Sequence, residues 1–519
     1  MEEAPQQKVS FIPCLTWVRQ GIGHAKVQKV NPTKEELQEI MKEMKLREAE
    51  FKGRPGSGGD KEEDSGSDAE NKDVDDYYDM DDYDDEVVGP PGITIDMNSM
   101  LNNEDDDSPD TDDEPDEFVV KDDDNLILCG HVDGDVCMLE VYVFNNAKGE
   151  LFILNDMFLP SYPICIEWMN FNAKKMDQPG NYAAVGCVTP EIGVWDLNIS
   201  GSLEPAFKLG TRKKKTMRHN DAVLDLSWHR DNRAVLASGS ADKTVIIWDM
   251  EKTQGLTRID SFEEKVQSVE WHPSEVQSLL TGCCDGKVRL YDTRNPKHFK
   301  TWGFEGEIER VLWNNFDPSY YFATTDSGMV YYVDTRNTKP VWTLKAHDKE
   351  ATGICMSSQY KDMLMTASMD ESVKVWDLQG GTPTFVAQKN MAIGQIYALS
   401  ACPDVPYVFC GGGSKKDNHL YVWDSRENNT VSERFKGRKM QKPVANRMDV
   451  DDDDDADDQQ PSTSRSSNNK FVDGRINVNP RSTNSKQLVN AVHKASKKNK
   501  KKKSHKAMHP KTTKKDEES

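Results

Sequence analysis

The sequence lacks the features that mark membrane-spanning, secreted and zinc-cluster proteins. No apolar run approaches the ~20 residues that a membrane-spanning helix needs. The first ten residues, MEEAPQQKVS, are acidic and polar and contain no apolar stretch of a secretion signal, so we expect an intracellular protein that does not bind membranes. The ten cysteines include no CxxC pair, which argues against a zinc site or a disulfide framework. Reduced thiols in a hydrophobic core are expected instead.

Catalytic and cofactor-binding motifs are also missing. Neither HExxH nor GxSxG occurs, and GGGSKK at 411–416 lacks the spacing of a P-loop. GIGHAK at 21–26 has two glycines but not the third of a dinucleotide site. The acidic runs do not place the glycine and glutamate that a calcium-binding loop requires. The sequence therefore predicts no catalytic residue, no cofactor, no metal site and no small-molecule substrate.

Charge is what the chain has in excess. Its 519 residues include 89 acidic and 66 basic side chains, for a net charge of −23, and only 36% are hydrophobic. A chain of this composition does not fold as one globular core throughout. The acidic residues concentrate in an insert at 48–124 and again near 448–458, followed by lysines. We predict a disordered acidic insert at 48–124 and a disordered tail at 437–519 that is acidic and then lysine-rich.

A repeat of short apolar runs fills most of the remaining chain. In VLDLSWHRDNRAVLASGSADKTVIIWD (223–249), three runs rich in β-branched residues are separated by turn residues, which predicts a strand meander. Copies recur every 42 to 53 residues and end in an aromatic residue or valine followed by aspartate. This is the spacing of a four-stranded propeller blade. The well-formed ends are Trp195-Asp196, Trp248-Asp249, Tyr291-Asp292, Trp376-Asp377 and Trp423-Asp424.

The eleven tryptophans give an independent count of the blades. Five occupy the first-strand position of a repeat, four end a repeat and two follow a repeat end. Trp17, in residues 8–18, is a first-strand tryptophan whose second and third strands appear only at 125–132 and 138–144. Loop tips tolerate insertions, so we interpret this as one blade split by the insert. The prediction is an all-β, seven-bladed propeller formed by 8–18 and 125–436.

Two repeats carry a histidine before the first strand and an aspartate in the turn between the second and third strands. The pairs are His219 with Asp242 and His347 with Asp370. A strand hydroxyl can link each histidine to the N–H of the tryptophan that ends the repeat; the candidates are Ser238 or Ser240 and Thr366 or Ser368. Since buried polar groups need partners, we predict stabilising hydrogen-bond networks rather than catalytic sites.

Segments outside the repeats could contact partners. Residues 31–47 combine a capping box with one apolar face, which predicts a short amphipathic helix that packs on the propeller or docks a partner. Acidic residues follow four predicted phosphorylation sites, Ser65, Ser67, Ser108 and Thr111. A dense lysine cluster predicts nuclear targeting or a nucleic-acid contact without base recognition. It comprises Lys497, Lys498, Lys500, Lys501, Lys502 and Lys503.

Several segments are similar to those of a known family. CLTWVRQGIGHAK, DNLILCG, SYPICIEWMNF, EIGVWDL and VLASGSADKTVIIWDM, together with the acidic insert, resemble the periodic tryptophan family of the WD40-repeat superfamily over most of the chain. The resemblance implies a non-enzymatic nucleolar scaffold in ribosome biogenesis, acting in ribosomal RNA synthesis or processing and large-subunit assembly. Its partners would be pre-ribosomal proteins or pre-ribosomal RNA. The alternative is a nuclear, chromatin-associated protein that binds histones and regulates transcription of ribosomal DNA.

Overall fold

A computed structural model describes residues 9–23, 28–29, 119–134, 136–172, 179–212, 217–416 and 418–444. The predicted helix at 31–47, the four predicted phosphorylation sites and the lysine cluster lie outside the described residues, as do most of the insert and the tail. The fold class is nevertheless decided by the described part. It consists of strands, one short 3-10 turn and one helix.

The strands form the seven sheets of a β-propeller, each built from antiparallel neighbours. Within each sheet the strands follow one another in chain order, and we number them outward from the first strand. The first blade contains β1 (Ser10–Val18), β3 (Asn125–Asp133), β4 (Val136–Asn145) and β5 (Glu150–Phe158), and the second contains β6 (Pro163–Met169), β7 (Tyr182–Cys187), β8 (Ile192–Asp196) and β10 (Phe207–Leu209). The third contains β11 (Val223–Trp228), β12 (Val235–Ser240), β13 (Val245–Asp249) and β14 (Gln254–Ile259). The fourth contains β15 (Val266–Trp271), β16 (Ser278–Cys283), β17 (Lys287–Asp292) and β18 (Phe299–Gly303).

Three more blades complete the ring. Their strands are β19 (Ile308–Trp313), β20 (Tyr320–Thr325), β21 (Met329–Asp334) and β22 (Pro340–Lys345); β23 (Gly353–Met356), β24 (Met363–Ala367), β25 (Ser372–Asp377) and β26 (Thr384–Asn390); and β27 (Ile396–Ala401), β28 (Val408–Gly413) and β29 (Leu420–Asp424). Two short strands outside the blades, β2 (Gln28–Lys29) and β9 (Ile199–Ser200), pair in parallel. The predicted all-β, seven-bladed propeller is confirmed.

The first blade is assembled across the insert. Strand β1 pairs with β3 in antiparallel register, so Trp17 lies opposite Ile127. Val120 and Asp124, which precede β3, are also buried against this blade. Asn145 stands where other repeats carry the closing aspartate, and its side chain donates a hydrogen bond to Asp124 at 2.6 Å. The interruption of the sequence pattern therefore leaves the four-stranded blade intact.

First strands of neighbouring blades contact one another around the ring, and β27 contacts β1 to close it. Ile12 and Leu15 of β1 share a hydrophobic cluster with Ala398 and Cys410 of the seventh blade. Burial of apolar surface thus joins the two ends of the folded chain. No strand of the first blade completes the sheet of the seventh within the described chain.

The seventh blade has three strands in the described chain and is followed by helical structure. A 3-10 turn (Ser425–Glu427) leads into helix α1 (Asn429–Phe435). The Asn428 side chain caps α1 by accepting hydrogen bonds from the backbone N–H groups of Thr430 and Val431. Val431 and Phe435 pack into the hydrophobic cluster between the sixth and seventh blades. The chain then runs along the ring to Val444, whose N–H binds the carbonyl of Asn315 at 2.7 Å.

The core is made of the repeat tryptophans and of apolar residues from adjacent sheets. Trp195, Trp248, Trp313 and Trp423 are among the largest fully buried side chains. All ten cysteines lie in the described chain, and none is in a disulfide. Burial raises the pKa of the Cys402 thiol to about 12, so it stays protonated at neutral pH. None of the described helices is long and apolar enough to span a membrane.

Candidate functional site

The five predicted aromatic–aspartate pairs end the third strands of their blades. The aromatic rings are buried, at 0 to 6% exposure. Four of the aspartates bind the turn that follows them, which fixes the chain as it leaves the strand. Their partners are Asn198 for Asp196, Lys252 for Asp249, Arg294 for Asp292 and Arg426 for Asp424. These residues are therefore positioned to stabilise the blade.

Asp377 at the end of the sixth blade accepts the backbone N–H of Gln379 in the turn that follows it, and has two further partners. Its side chain is fully buried, and it accepts hydrogen bonds from the guanidinium groups of Arg434 and Arg438 at 2.5 to 2.6 Å. Arg434 belongs to α1, and Arg438 follows that helix. These bonds hold the pKa of Asp377 below its usual range despite burial, which opposes the charge. We call this three-residue contact the C-terminal clasp.

The first predicted histidine network lies in the third blade. His219 Nδ1 is 3.2 Å from Asp242, and His219 Nε2 is 2.7 Å from the hydroxyl of Ser238. Trp248 donates its indole N–H to the same hydroxyl at 2.8 Å. Burial opposes ionisation of Asp242, but hydrogen bonds from His219 and Thr244 outweigh it and lower the pKa of the carboxyl. Of the two candidate hydroxyls, that of Ser238 therefore links His219 to Trp248 and completes the hydrogen-bond network.

The sixth blade repeats this arrangement. His347 Nδ1 is 2.9 Å from Asp370, and His347 Nε2 is 2.7 Å from the hydroxyl of Thr366. Trp376 donates its indole N–H to Thr366 at 3.0 Å. Burial lowers the pKa of His347, and this ring, like that of His219, is 0% exposed. Histidines so enclosed are placed to hold a turn against its sheet rather than to meet a substrate.

These networks hold strained turns. The residue after the network aspartate adopts a positive φ, 64° for Lys243 and 69° for Glu371, where the fourth and fifth blades carry glycine instead. Non-glycine residues avoid this conformation. In the third blade, Asp242 accepts hydrogen bonds from the N–H and the hydroxyl of Thr244 at 3.1 and 2.6 Å, which fixes the turn. The turn can therefore be formed without glycine.

Neighbouring blades are joined at the residue that precedes a first-strand tryptophan. In three consecutive seams this residue accepts the backbone N–H of the next blade's tryptophan. The bonds join Glu167 to Trp228, Ser227 to Trp271 and Glu270 to Trp313, at 3.1, 3.1 and 2.7 Å. We call them seam bonds. Sequence periodicity locates the tryptophans but does not reveal these acceptors.

Desolvation of the two half-buried seam glutamates changes their ionisation. Desolvation raises the pKa of Glu167 to about 7 and that of Glu270 to about 8, although each accepts a stabilising backbone N–H bond. Nearby, the carboxylate of Asp225 in β11 binds the guanidinium of Arg310 in β19 at 3.1 Å, two blades away. This half-buried ion pair thus joins the first strands of the third and fifth blades.

The outer surface of the propeller carries exposed apolar side chains. The outermost strands of the third to sixth blades expose Leu256, Phe299, Val341 and Phe385, at 39 to 53%. Apolar side chains of this kind can form part of a protein contact, although single exposed residues are common.

In the described chain, donor atoms that come close enough to hold a metal ion belong to His131, Glu140 and His419.

Comparison with known proteins places this propeller in a family. The chain is 36% identical over 437 residues to the periodic tryptophan protein 1 homolog of Drosophila melanogaster, covering 80% of this chain and 94% of that protein. The chain belongs to the periodic tryptophan protein 1 family. It is also 29% identical to periodic tryptophan protein 1 of Saccharomyces cerevisiae, covering 82% of this chain and 90% of the yeast protein.

Two further similarities agree with membership of the periodic tryptophan protein 1 family. An uncharacterized WD repeat-containing protein of Schizosaccharomyces pombe is 28% identical over 70% of this chain and 75% of its own length. The family model for the WD domain, G-beta repeat matches residues 211–249, 256–292 and 338–377. These ranges contain the first three strands of the third, fourth and sixth blades, and the second and third ranges begin at the outermost strand of the preceding blade. The third and sixth blades carry the histidine networks. The expected resemblance to this WD40-repeat family is confirmed.

Proposed function

We propose that this member of the periodic tryptophan protein 1 family is a non-enzymatic scaffold in ribosome biogenesis. The observation that carries the proposal is similarity that extends over 94% of the fly relative rather than over the WD repeats alone. The fold supports it, because a closed propeller offers a rigid frame with exposed loops and outer strands. The histidines and aspartates that could suggest catalysis are engaged in turn and blade contacts.

The proposed place of action is the nucleolus, on the synthesis or processing of ribosomal RNA and the assembly of the large subunit. Pre-ribosomal proteins or pre-ribosomal RNA are the proposed partners. The charge pattern supports contact with RNA, since lysines at 497–503 can neutralise phosphates. If about six phosphates of single-stranded RNA were neutralised, the logarithm of the affinity would fall with a slope near −4 against the logarithm of salt concentration.

The second candidate function is binding of histones at ribosomal DNA. It is favoured by one observation, the acidic insert at 48–124, because runs of aspartate and glutamate attract lysine-rich chains. In this case the lysine tail would serve for nuclear targeting. The insert would shield a histone while the propeller holds its tail.

Purification of the tagged protein from nuclear extract distinguishes the two. Samples treated with RNase, with DNase, with both or with neither are compared for co-purifying RNA and protein. If the protein is a scaffold, pre-ribosomal proteins and RNA should co-purify with it. If Lys497–Lys503 provide the contact with RNA, RNase treatment should remove these partners. A matched variant with these lysines changed to glutamine should lose the RNA-dependent fraction. Histones retained after both nucleases, without pre-ribosomal proteins, would favour the second function.

A further inference from the structure

The seam between the first and seventh blades contains a cluster of two histidines and a glutamate, of which His131 and Glu140 are buried and His419 is half-buried. His131 lies in β3 and Glu140 in β4, both of the first blade. Glu140 is opposite Cys129 in the strand pairing, and His131 is two positions from Cys129 on the same strand, so both side chains lie on one face. His419 immediately precedes β29 of the seventh blade. The cluster therefore includes residues from both ends of the ring.

Hydrogen bonds orient the groups of the first blade. His131 Nδ1 is 2.9 Å from a carboxylate oxygen of Glu140, and His131 Nε2 is 3.1 Å from the hydroxyl of Ser10. Tyr142 donates its hydroxyl to the other oxygen of Glu140 at 2.7 Å. Ser10 and Tyr142 thus hold the imidazole and the carboxylate from behind. Such outer partners are typical of metal ligands.

The remaining member of the cluster is incompletely bonded. The ring of His419 stacks on that of His131 with 4.2 Å between centroids and 30° between planes. Its Nδ1 is buried and finds no hydrogen-bond partner in the part of the chain that the structure describes. A buried nitrogen without a partner is costly, so hydrogen bonding alone leaves the cluster unsatisfied. A bound cation would use the lone pair of this nitrogen.

The donor set points to the metal. One nitrogen of each ring and an oxygen of Glu140 all lie within 4.8 Å of one another. Zinc binds imidazole and carboxylate at about 2.0–2.2 Å, which brings tetrahedral ligand atoms to roughly 3.3 Å apart, so the stacked rings must rotate for both nitrogens to reach one ion. Two histidines with one carboxylate suit zinc better than magnesium or calcium, which prefer oxygen. We propose that His131, Glu140 and His419 bind a zinc ion that joins the first blade to the seventh.

Such an ion would act where the ring closes. Within the described residues, no strand from one end of the chain is added to the blade at the other end, so side-chain contacts close the seam. A zinc ion held by β3, β4 and the loop before β29 links these blades directly. Because the ligands come together only in the folded ring, the free energy of zinc binding adds to the free energy of unfolding.

The test uses the full-length protein after treatment with EDTA and dialysis. Zinc is added in a chelator buffer, and bound zinc and the melting temperature are measured. At a free zinc concentration about 100 times the dissociation constant, we expect the melting temperature to rise by about 5 °C. His419→Ala and Glu140→Gln should abolish the rise and remove one equivalent of bound zinc. His298→Ala changes an exposed histidine and should leave both values as in the wild type.

Cobalt provides a second measurement for a variant that folds poorly. Wild-type protein loaded with Co²⁺ should show the visible absorption of a tetrahedral nitrogen–oxygen site, and zinc should displace it. No rise in melting temperature together with no cobalt spectrum in the wild type would overturn the proposal and leave a hydrogen-bonded cluster. Equal zinc binding by the wild type and His419→Ala would place the metal elsewhere on the chain and overturn it as well.

Discussion

The indole N–H of Trp17 donates a hydrogen bond to the backbone carbonyl of Ser400 at 3.3 Å, across 383 positions of sequence. The same bond occurs inside the ring, where Trp313 donates to the carbonyl of Glu270 at 3.3 Å. Trp17 therefore holds in the first blade the place that Trp313 holds in the fifth. The strand before the acidic insert is thus a full member of the ring, and the closing seam repeats the tryptophan–carbonyl bond of the seams that join the third to the fourth and the fourth to the fifth blade.

Substitution of Trp17 by phenylalanine measures this closing bond. Trp17→Phe keeps an aromatic ring but removes the N–H donor, so the free energy of unfolding should fall by about 1 kcal/mol. Urea unfolding followed by circular dichroism provides the measurement. Trp313→Phe is the matched control because it removes the equivalent bond within the ring, and it should cost a similar amount. A loss for Trp313→Phe with none for Trp17→Phe would show that the seam is open in solution.

Truncation of Trp376 tests the sixth blade. Trp376→Ala removes a buried ring and leaves the Thr366 hydroxyl without its indole donor, so we expect a loss of about 3–5 kcal/mol in the free energy of unfolding. Trp376→Phe should retain part of the packing and lose less. A melting curve that Trp376→Ala leaves unchanged would contradict the assignment of this blade.

The raised pKa of Glu270 predicts a pH-dependent variant. Between the unfolded pKa near 4.5 and the folded pKa of about 8, the folded state binds more protons, so wild-type stability should fall as pH rises through this range. The side chain of the Glu270→Gln variant is neutral at every pH and keeps an oxygen that can accept the backbone N–H of Trp313. Since Glu270 is partly exposed, we expect the variant to be more stable than the wild type by roughly 1–2 kcal/mol at pH 8.5 and equal to it at pH 4.5.

Thermal melts between pH 4.5 and pH 8.5 provide this comparison. Glu251→Gln is the control, because Glu251 is exposed, and its pH profile should parallel that of the wild type. If Glu270→Gln also paralleled the wild type over the whole range, the seam glutamate would be ionised at neutral pH and the predicted dependence would be wrong.

Loss of Arg438 tests the C-terminal clasp. Arg438→Gln leaves the fully buried Asp377 with Arg434 as its remaining guanidinium, and Arg434 is 46% exposed. Removing one partner of a buried ion pair is costly, so we expect a loss of about 2 kcal/mol in the free energy of unfolding and faster proteolysis after α1. Arg294→Gln, which breaks an exposed pair with Asp292, should cause no measurable change. Equal stability of the two variants would contradict the clasp.

The repeat made the ring predictable, because every blade carries at least one tryptophan and five of the seven end their third strand in a buried aromatic residue followed by aspartate. The eleven tryptophans therefore sufficed to count seven blades and to place Trp17 in the first. The two histidine networks were also predictable, since their members recur at fixed offsets. The choice of Ser238 over Ser240 was not, because strand alternation puts both side chains on the same face and only the fold shows which one reaches His219 and Trp248.

Contacts between distant segments left no local signal. Arg438 and Asp377 are 61 positions apart, and nothing in the sequence around the arginine distinguishes it from a solvated basic residue. The clasp and the three-stranded seventh blade were therefore not predicted. The seam glutamates, and the cluster of His131, Glu140 and His419, depend in the same way on which blades become neighbours when the ring closes.

The proposed role in ribosome biogenesis is tested most directly by replacing the endogenous protein in cells. The protein is depleted and either the wild type or a variant lacking residues 9–18, the strand that closes the ring, is expressed in its place. Ribosomal RNA precursors and the ratio of free large to small subunits are then measured. The proposal predicts precursor accumulation and a deficit of large subunits on depletion, restored by the wild type and not by the open-ring variant. Unchanged precursors and subunit ratios in depleted cells would contradict it.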